Sequence, residues 1–465
     1  MTISFRRKCG VGLSICLLLI TQGLRAQNTI LSLQDLTNAS QQNQPSILKK
    51  QALINSAEAA IKDAKHTALP TLKLQDQLSF ATANSEIGSV FPLGSNVSIS
   101  SAVRADNNYQ PASGNVAMLY SEYELENFGL NKARVSEAQA GKALSEADLA
   151  KDLYLLKLKT ARFYFQLLKA YQQLNIEQDN VIRYDTLFVI IRAQAASGLR
   201  AGADSAQTKA ELSKARVSYN TRMQEIMQLK QDLSYLTGVP EEALNIDTAL
   251  SKYQYRLDQS SQDDEPDTLL NPLVDYYNKQ KNVLQSQERF IKKSYLPKIL
   301  LAGGAWGRGS SIDYNDNYQS LSTGLGYQRF NYGLGLAFNY NLFDMAHRHD
   351  KLAVNKYKTQ QSDYELQEQK LQLRTASVKA LAALSTIDKN RKEIPVQIES
   401  AQDLYQQKLA QYQAGVSNLV DLTNAGYLLL EAQTANIQII TDWYLAKLDK
   451  AAADGNLGQF IQSIK

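Results

Sequence analysis

The sequence predicts a mainly α-helical fold with a small β part, in which a unit of helix, strand, strand, very long helix and helix occurs twice. Three observations carry this expectation. First, paired positions recur. Gln44-Pro45 and Leu69-Pro70 return as Asn271-Pro272 and Leu296-Pro297, 227 residues on. Leu125, Gly198, Asp204, Ala215 and Gly238 return as Leu342, Gly415, Asp421, Ala432 and Gly455, 217 residues on, so the first copy carries ten extra residues. A repeat of roughly 200 residues is far longer than the 20–50 of a solenoid and points to two similar halves of one body. Second, each half has ten-residue stretches of alternating polarity. Third, each half has a long charged, alanine- and leucine-rich stretch with scarcely a helix breaker.

The first residues read as a leader. Arg6, Arg7 and Lys8 precede an apolar run, Val11 to Ile20, and Leu24-Arg25-Ala26 offers a cleavage site before Gln27. The run is shorter than the ~20 residues of a spanning helix, and bulky Ile15 argues against lipidation of Cys16. Residues 1–26 are therefore expected to be a signal peptide. Both cysteines, Cys9 and Cys16, leave with it, which suits an oxidising compartment and excludes disulfide stapling. Four of the 50 basic residues also leave, and the remaining 46 balance 46 acidic ones. A neutral mature chain gives no support to nucleic-acid binding. No later segment has 18 uninterrupted apolar residues, so an exported chain of this kind is either soluble or inserts by strands. Twenty-five tyrosines tilt towards insertion.

The first repeat, 27–240, opens with helix over about Ser32–Thr67, broken near Pro45 and ended by Pro70. Residues 71–80 follow as a strand with Leu72, Leu74, Leu78 and Phe80 on one face; Asp76 alone breaks the apolar set. A polar stretch of about Ala81–Asn115 reads as a long loop, and a second strand follows at about 116–125. Residues 241–266 read as a polar linker with little core. In the second repeat, 267–465, the strands are expected at about 298–308 and 332–342. Tyr332, Leu334, Leu336, Phe338, Tyr340 and Leu342 share one face there, with Gly333, Gly335, Ala337, Asn339 and Asn341 opposite. Large apolar residues against small or polar ones suit a lipid-exposed barrel strand, although a soluble sheet packed on a core alternates in the same way. Four strands cannot close a barrel, and open edges are forbidden in lipid. Strands in a membrane would have to be pooled between chains.

From about Asn131 to Ala196 only Gly141 interrupts the helical pattern, giving a helix ~100 Å long. Leu149, Leu153, Leu156, Thr160, Phe163, Leu167, Ala170 and Leu174 make one heptad seam; Tyr154, Leu158, Ala161, Phe165 and Leu168 make a second beside it. Two seams mean partners on two sides. The matching helix, about Arg348–Ala414, contains Pro395, where a local irregularity is expected. Gly198 and Gly415 then cap the long helices in the left-handed conformation, and return helices begin near Asp204 and Asp421.

This constellation resembles the outer-membrane efflux (TolC) family over essentially the whole mature chain. The likeness rests on the paired Asn/Gln-Pro and Leu-Pro positions, the tips at 198–204 and 412–422, and the close Leu236-Thr237-Gly238-Val239-Pro240. The resemblance implies a homotrimer whose chains contribute four strands each to a 12-stranded outer-membrane β-barrel, continued by a periplasmic α-helical barrel closed at its tip. It implies an outer-membrane exit duct, with most of its mass in the periplasm, for a multicomponent efflux or type I secretion system. Partners would be a periplasmic adaptor, an inner-membrane pump of RND or ABC type through it, and outer-membrane lipid; cofactors would be none. Cargo is open, with heavy metals and secreted polypeptides as alternatives to drugs.

By the same resemblance Asp421 lines the constriction, with Asn424 where the family has a second carboxylate, and Asp204 braces the gate by bonding Tyr412. Read only as helix-start residues, both aspartates are caps worth roughly 1 kcal/mol; read as rings of three, they favour cations. The family's tip arginine falls on Ser417, which removes a charge-assisted bond; Arg200 is a substitute cation of unassigned place. The turns at Gly198, Leu199, Gly415 and Val416 are the expected adaptor contacts. His347 and His349, at i and i+2, do not face one another, and with His66 they read as polar surface rather than metal ligands. Gly303 to Gly309 lacks the Lys-Ser/Thr of a phosphate loop and reads as strand glycines. No catalytic set stands out, so an enzyme is not expected. The alternative is a structural periplasmic coiled-coil protein that never enters lipid.

Overall fold

The computed structural model describes residues 30–85, 103–248 and 271–464. The leader and most of the expected linker lie outside the described residues. The element order shows the unit twice: α1 (Leu33–Asn43), α2 (Pro45–His66), β1 (Thr71–Ala81), β2 (Ala112–Glu126), α3 (Leu130–Ala196) and α4 (Gly202–Thr237), then α5 (Pro272–Ser294), β3 (Lys298–Ser310), β4 (Arg329–Asn339), α6 (Asp344–Gln413), α7 (Leu419–Ala453) and α8 (Leu457–Ser463).

Local chemistry sets these boundaries. Ser32 and Asp35 cap α1 reciprocally: the Asp35 N–H donates to Ser32 Oγ at 3.2 Å and the Ser32 N–H to Asp35 Oδ2 at 3.0 Å. Gln44 is extended, as the residue before a proline prefers, and Pro45 takes the first position of α2, where its missing N–H has no helical partner to lose. Pro395 lies inside α6 without ending it, so the expected irregularity leaves the assigned helix continuous. Strand β4 stops three residues before the sequence pattern does. Asn341 is drawn into the start of α6 instead, its amide donating to Asp344 Oδ1 at 2.8 Å and its oxygen accepting the Phe343 N–H at 3.3 Å. Strand β2 starts four residues early, through the small and polar Ala112, Ser113, Gly114 and Asn115.

The chain divides into two compact units, each drawing on both repeats. One comprises the described residues of 1–51, 147–276 and 366–465 and is helical. Its larger core joins Leu33 and Leu36 of α1, Tyr164, Phe165, Leu167 and Leu168 of α3, Leu229 and Leu233 of α4, and Trp443, Tyr444 and Leu448 of α7. Members of both α3 seams are buried in it. The Phe165 ring stacks on Tyr444, with centroids 5.0 Å apart and planes 12° from parallel. Leu244 and Ile246 also enter this core, so the polar stretch begins with two anchors that its composition hides. A second core joins Tyr184, Leu187 and Ile191 of α3, Leu212 of α4, Tyr405 and Tyr412 of α6, and Leu419, Leu422 and Leu429 of α7.

The duplication extends to hydrogen bonds. Gln44 donates its amide to the Tyr235 carbonyl at 2.8 Å, and Asn271 donates its amide to the Ala452 carbonyl at 2.9 Å. Tyr235 and Ala452 are themselves 217 residues apart. The Asn/Gln-Pro pairs therefore pin the start of each helical run to the end of a return helix, and the proline behind each frees no competing donor.

The other unit, the described residues of 52–146 and 277–365, contains one antiparallel sheet in the order β1-β2-β3-β4. Register places Leu74, Leu119, Ala305 and Tyr332 in one cross-strand row and Leu72, Ser121, Gly303 and Leu334 in the next. Large apolar side chains of β1 and β4 thus share one face; Lys73, Tyr120, Gly304 and Gly333 lie on the other. Strands β1 and β4 are exposed along their whole length. Among the described residues no helix is long and apolar enough to cross a membrane.

Truncating Phe165 to alanine removes a fully buried ring stacked at the centre of the larger core. Phe165→Ala is expected to destabilise the helical unit by about 3–5 kcal/mol, read as a lowered midpoint in thermal unfolding followed by circular dichroism. An unchanged midpoint would contradict this packing.

Candidate functional site

The two helix tips are built alike. After α3, Gly198 takes φ 76°, and the Leu199 N–H reaches the Gln194 carbonyl at 2.9 Å. After α6, Gly415 takes φ 77°, and the Val416 N–H reaches the Gln411 carbonyl at 2.9 Å. Each is a glycine-terminated closure that satisfies a carbonyl left over at the helix end. Both turns push an aliphatic side chain into solvent: Leu199 is 76% exposed and Val416 80%.

Neither aspartate is the cap of its helix. The cap of α7 is Asn418, whose side-chain oxygen accepts the Asp421 N–H at 2.8 Å. The cap of α4 is Ala201, with no side-chain bond. Asp204 and Asp421 instead occupy the first turn, where the positive helix end favours a carboxylate. With the backbone bond made by Asn418, the Asp421 carboxylate is free to bond sideways. It accepts from Ser417 Oγ at 3.1 Å and pairs with Lys408 Nζ at 3.5 Å. Asn424 lies three residues on, on the same side of α7, and is exposed.

Tyr412 is the hub of the tip, 3% exposed in the second core. Its hydroxyl donates to Asp204 Oδ2 at 3.4 Å, a long bond. Arg200 holds it more closely. The guanidinium donates to the Tyr412 carbonyl at 2.6 Å and lies over the ring, 4.4 Å from its centre. Burial, and then the Asp204 charge, raise the Tyr412 pKa above its ordinary value, with Arg200 opposing. The hydroxyl accordingly stays a proton donor at neutral pH.

The structure thus brings Arg200, Asp204 and Tyr412 together as one cluster and Lys408, Ser417 and Asp421 as another. It gives the tip two cations where the missing arginine at 417 suggested a deficit. Arg200 finds its place on the tyrosine that sequence reasoning paired only with Asp204. Lys408 went unnoticed, although a signal was present: it lies seven residues before Gly415 and Asp421 six after, so a tight hairpin sets them opposite. Deeper along the same helices, Tyr427 donates to Glu211 and accepts from Lys214 Nζ at 3.1 Å, tying α7 to α4. His66, His347 and His349 are exposed, and among the described residues no group of three or more His, Cys, Asp or Glu could hold a metal. Gly303 to Gly309 lies within β3.

The family model described as outer membrane efflux protein matches residues 36–239 and 280–456, two stretches that mirror the duplication. Among solved structures, CusC is similar at a TM-score of 0.74 and 15% identity, over 91% of this chain and 92% of that one. The outer-membrane channel OprN gives 0.71 and 16%, over 91% and 90%. The CmeC outer membrane channel of Campylobacter jejuni gives 0.72 and 16%, over 93% and 86%. At such identity these likenesses show the fold. No curated protein matches the sequence significantly. With a duplicated helix-strand-strand-helix-helix chain matched over both copies, the protein belongs to the outer membrane efflux protein family, an outer-membrane group of transport channels rather than enzymes.

Proposed function

We propose that this chain is the exit duct of a multicomponent efflux or type I secretion system, a passive conduit opened at its periplasmic tip by partner proteins. The observation that carries the reading is the four-stranded sheet with both end strands exposed and large apolar side chains on one face. In hydrocarbon each unpaired backbone group costs several kcal/mol, so β1 and β4 need neighbours from other copies. Three copies would close a 12-stranded barrel. Exposed apolar residues along the long helices, such as Val189, Val217, Leu371, Val378 and Val396, suit the same assembly. The aliphatic turns at Leu199 and Val416 suit contact with a periplasmic adaptor, and through it an inner-membrane pump of RND or ABC type. In cells the protein should co-fractionate with the outer membrane and conduct ions after reconstitution. Release by osmotic shock without conductance would contradict the duct.

In this reading Asp421, with Asn424 beside it, rings the constriction, and Lys408 partly neutralises that ring. Asp421→Ala should lower cation preference in planar bilayers, whereas Lys408→Ala should raise it. Identical preference in both variants would remove these residues from the ion path.

The closed tip rests on Tyr412. Tyr412→Phe removes only the long bond to Asp204, worth about 1 kcal/mol or less, while Arg200→Ala removes a charged bond of about 1.5–3 kcal/mol. Arg200→Ala should therefore raise basal conductance more than Tyr412→Phe. Because the folded-state pKa of Tyr412 is raised, the hydroxyl's contribution is complete below about pH 10 and fades only as pH climbs through the raised value. Basal conductance should be insensitive to this group between about pH 6 and 9. A difference between wild type and Tyr412→Phe that vanishes on going from about pH 6 to 9 would contradict the assignment.

A further inference from the structure

The chain between β3 and β4 does not extend freely past the sheet. Residues 321–325 form a short 3-10 turn that packs against the end of β2. It lies on the face that carries the large apolar side chains. Ser113 and Asn115 point to that face, since they pair with Phe80 and Leu78. Both are nearly sealed, 2% and 4% exposed, whereas β1 and β4 are exposed along their whole length. Ser113 Oγ donates to the Leu321 carbonyl, and the Asn115 amide donates to the Leu325 carbonyl at 2.9 Å. Gln328 closes the segment by donating to the Thr323 carbonyl at 3.1 Å and the Ser310 carbonyl at 3.0 Å.

Small residues make the fit possible. A Cβ on Gly309 would collide with the Gly326 carbonyl, and one on Gly324 with the Ser113 hydroxyl and carbonyl. The next usable row of the same face runs Asp76, Ala117, Gly307, Phe330 across the four strands. Tyr327 lies along this row. Its ring edge sits where a Gly307 Cβ would be 3.2 Å away, its centroid is 6.5 Å from Phe330, and its hydroxyl donates to Asp76 Oδ2 at 3.1 Å. Asp76, the one acidic interruption of the apolar alternation in β1, is thus the acceptor that fixes the far end of the segment. Alanine and glycine in the middle of the row leave the trough that the tyrosine crosses.

We propose that residues 321–330 form a strap on the lipid-facing side of the sheet, latched by Tyr327 to Asp76, that seats in the bilayer interface through Leu321, Leu325 and Tyr327. The inference rests on the reading of this sheet as a membrane barrel. Its partner is a phospholipid surface. All three side chains are substantially exposed, and they continue the apolar face of Phe330, Tyr332, Leu334, Leu336 and Phe338 without a polar break on that face of β4. A tyrosine with an apolar ring and a hydrogen-bonded hydroxyl is a residue expected at that boundary. The strap also accepts from the Ser113 hydroxyl and the Asn115 amide, donors that hydrocarbon would leave unpaired, while Asn115 Oδ1 stays buried without a partner.

The test is tryptophan fluorescence of the full-length protein in phosphatidylcholine vesicles, with brominated acyl chains as the lipid-phase quencher and iodide as the aqueous one. Tryptophans are placed singly by Leu325→Trp in the strap, Leu334→Trp in the apolar band and Tyr314→Trp at the 92%-exposed loop position, each read against the parent protein. The proposal expects Leu325→Trp to be quenched by brominated lipid at least half as strongly as Leu334→Trp, and by iodide at least twofold less than Tyr314→Trp. Adding Tyr327→Phe or Asp76→Asn should shift Leu325→Trp towards the aqueous pattern; Tyr327→Phe keeps the ring packing, so a folding defect is not built into the test. A strap position that behaves like Tyr314→Trp while Leu334→Trp stays lipid-quenched overturns the strap alone. Unchanged quenching in both latch variants overturns the latch. Failure of Leu334→Trp to sense brominated lipid overturns the barrel reading and the strap with it.

Discussion

Unpaired backbone is the constraint on which the rest depends. A sheet in water can leave its outer strands to the solvent, but a sheet in hydrocarbon has nothing there to bond. Strands β1 and β4 carry large apolar residues, including Leu72, Leu74, Leu334 and Leu336, and both are exposed in the single chain. The four strands among the described residues cannot answer this alone. Pooling strands between copies answers it, and the same symmetry would set the long helices side by side, where their exposed aliphatic residues need covering. If the sheet is taken to lie in lipid, as the proposed duct requires, oligomerisation would answer that one backbone requirement.

The helical unit shows how a duplicated sequence diverges where it works. The Gln44 and Asn271 amides make equivalent bonds to equivalent carbonyls, and Gly198 and Gly415 make equivalent turns. Past the turns the copies part. After Gly198 comes Arg200, stacked on Tyr412; after Gly415 comes Ser417, bonded to Asp421. Asp204 faces a tyrosine, while Asp421 faces a lysine. The backbone scaffold is kept and the side-chain chemistry differs, so the two hairpins can be held with unequal strength.

Much of the fold was legible because backbone rules are local. Proline at 45 and 70, glycine at 198 and 415, and the alternation over 71–80 each act within a few residues, and the structure follows them closely. What was not legible depends on distant partners. The start of β2 is hidden because Ser113 and Asn115 are polar, and their burial comes from the distant residues 311 and 321–325. The end of β4 is misread because Asn341 continues the alternation while its amide serves the next helix. Leu244 and Ile246 sit in a polar stretch and are buried by contacts far away in sequence. At the tip, resemblance supplied Asp204, Tyr412, Asp421 and Asn424; Lys408 was signalled only by its spacing from Gly415, and the place of Arg200 required the hairpin itself. Asp76 looked like a flaw in a strand until Tyr327 was seen to reach it.

The most direct test of the shared-barrel account is the mass of the detergent-solubilised, unheated protein by native mass spectrometry. The account predicts a complex of three chains that persists in detergent and falls to single chains only on denaturation. A single chain that stays in aqueous solution without detergent would contradict it, because its strand edges would then need no neighbours.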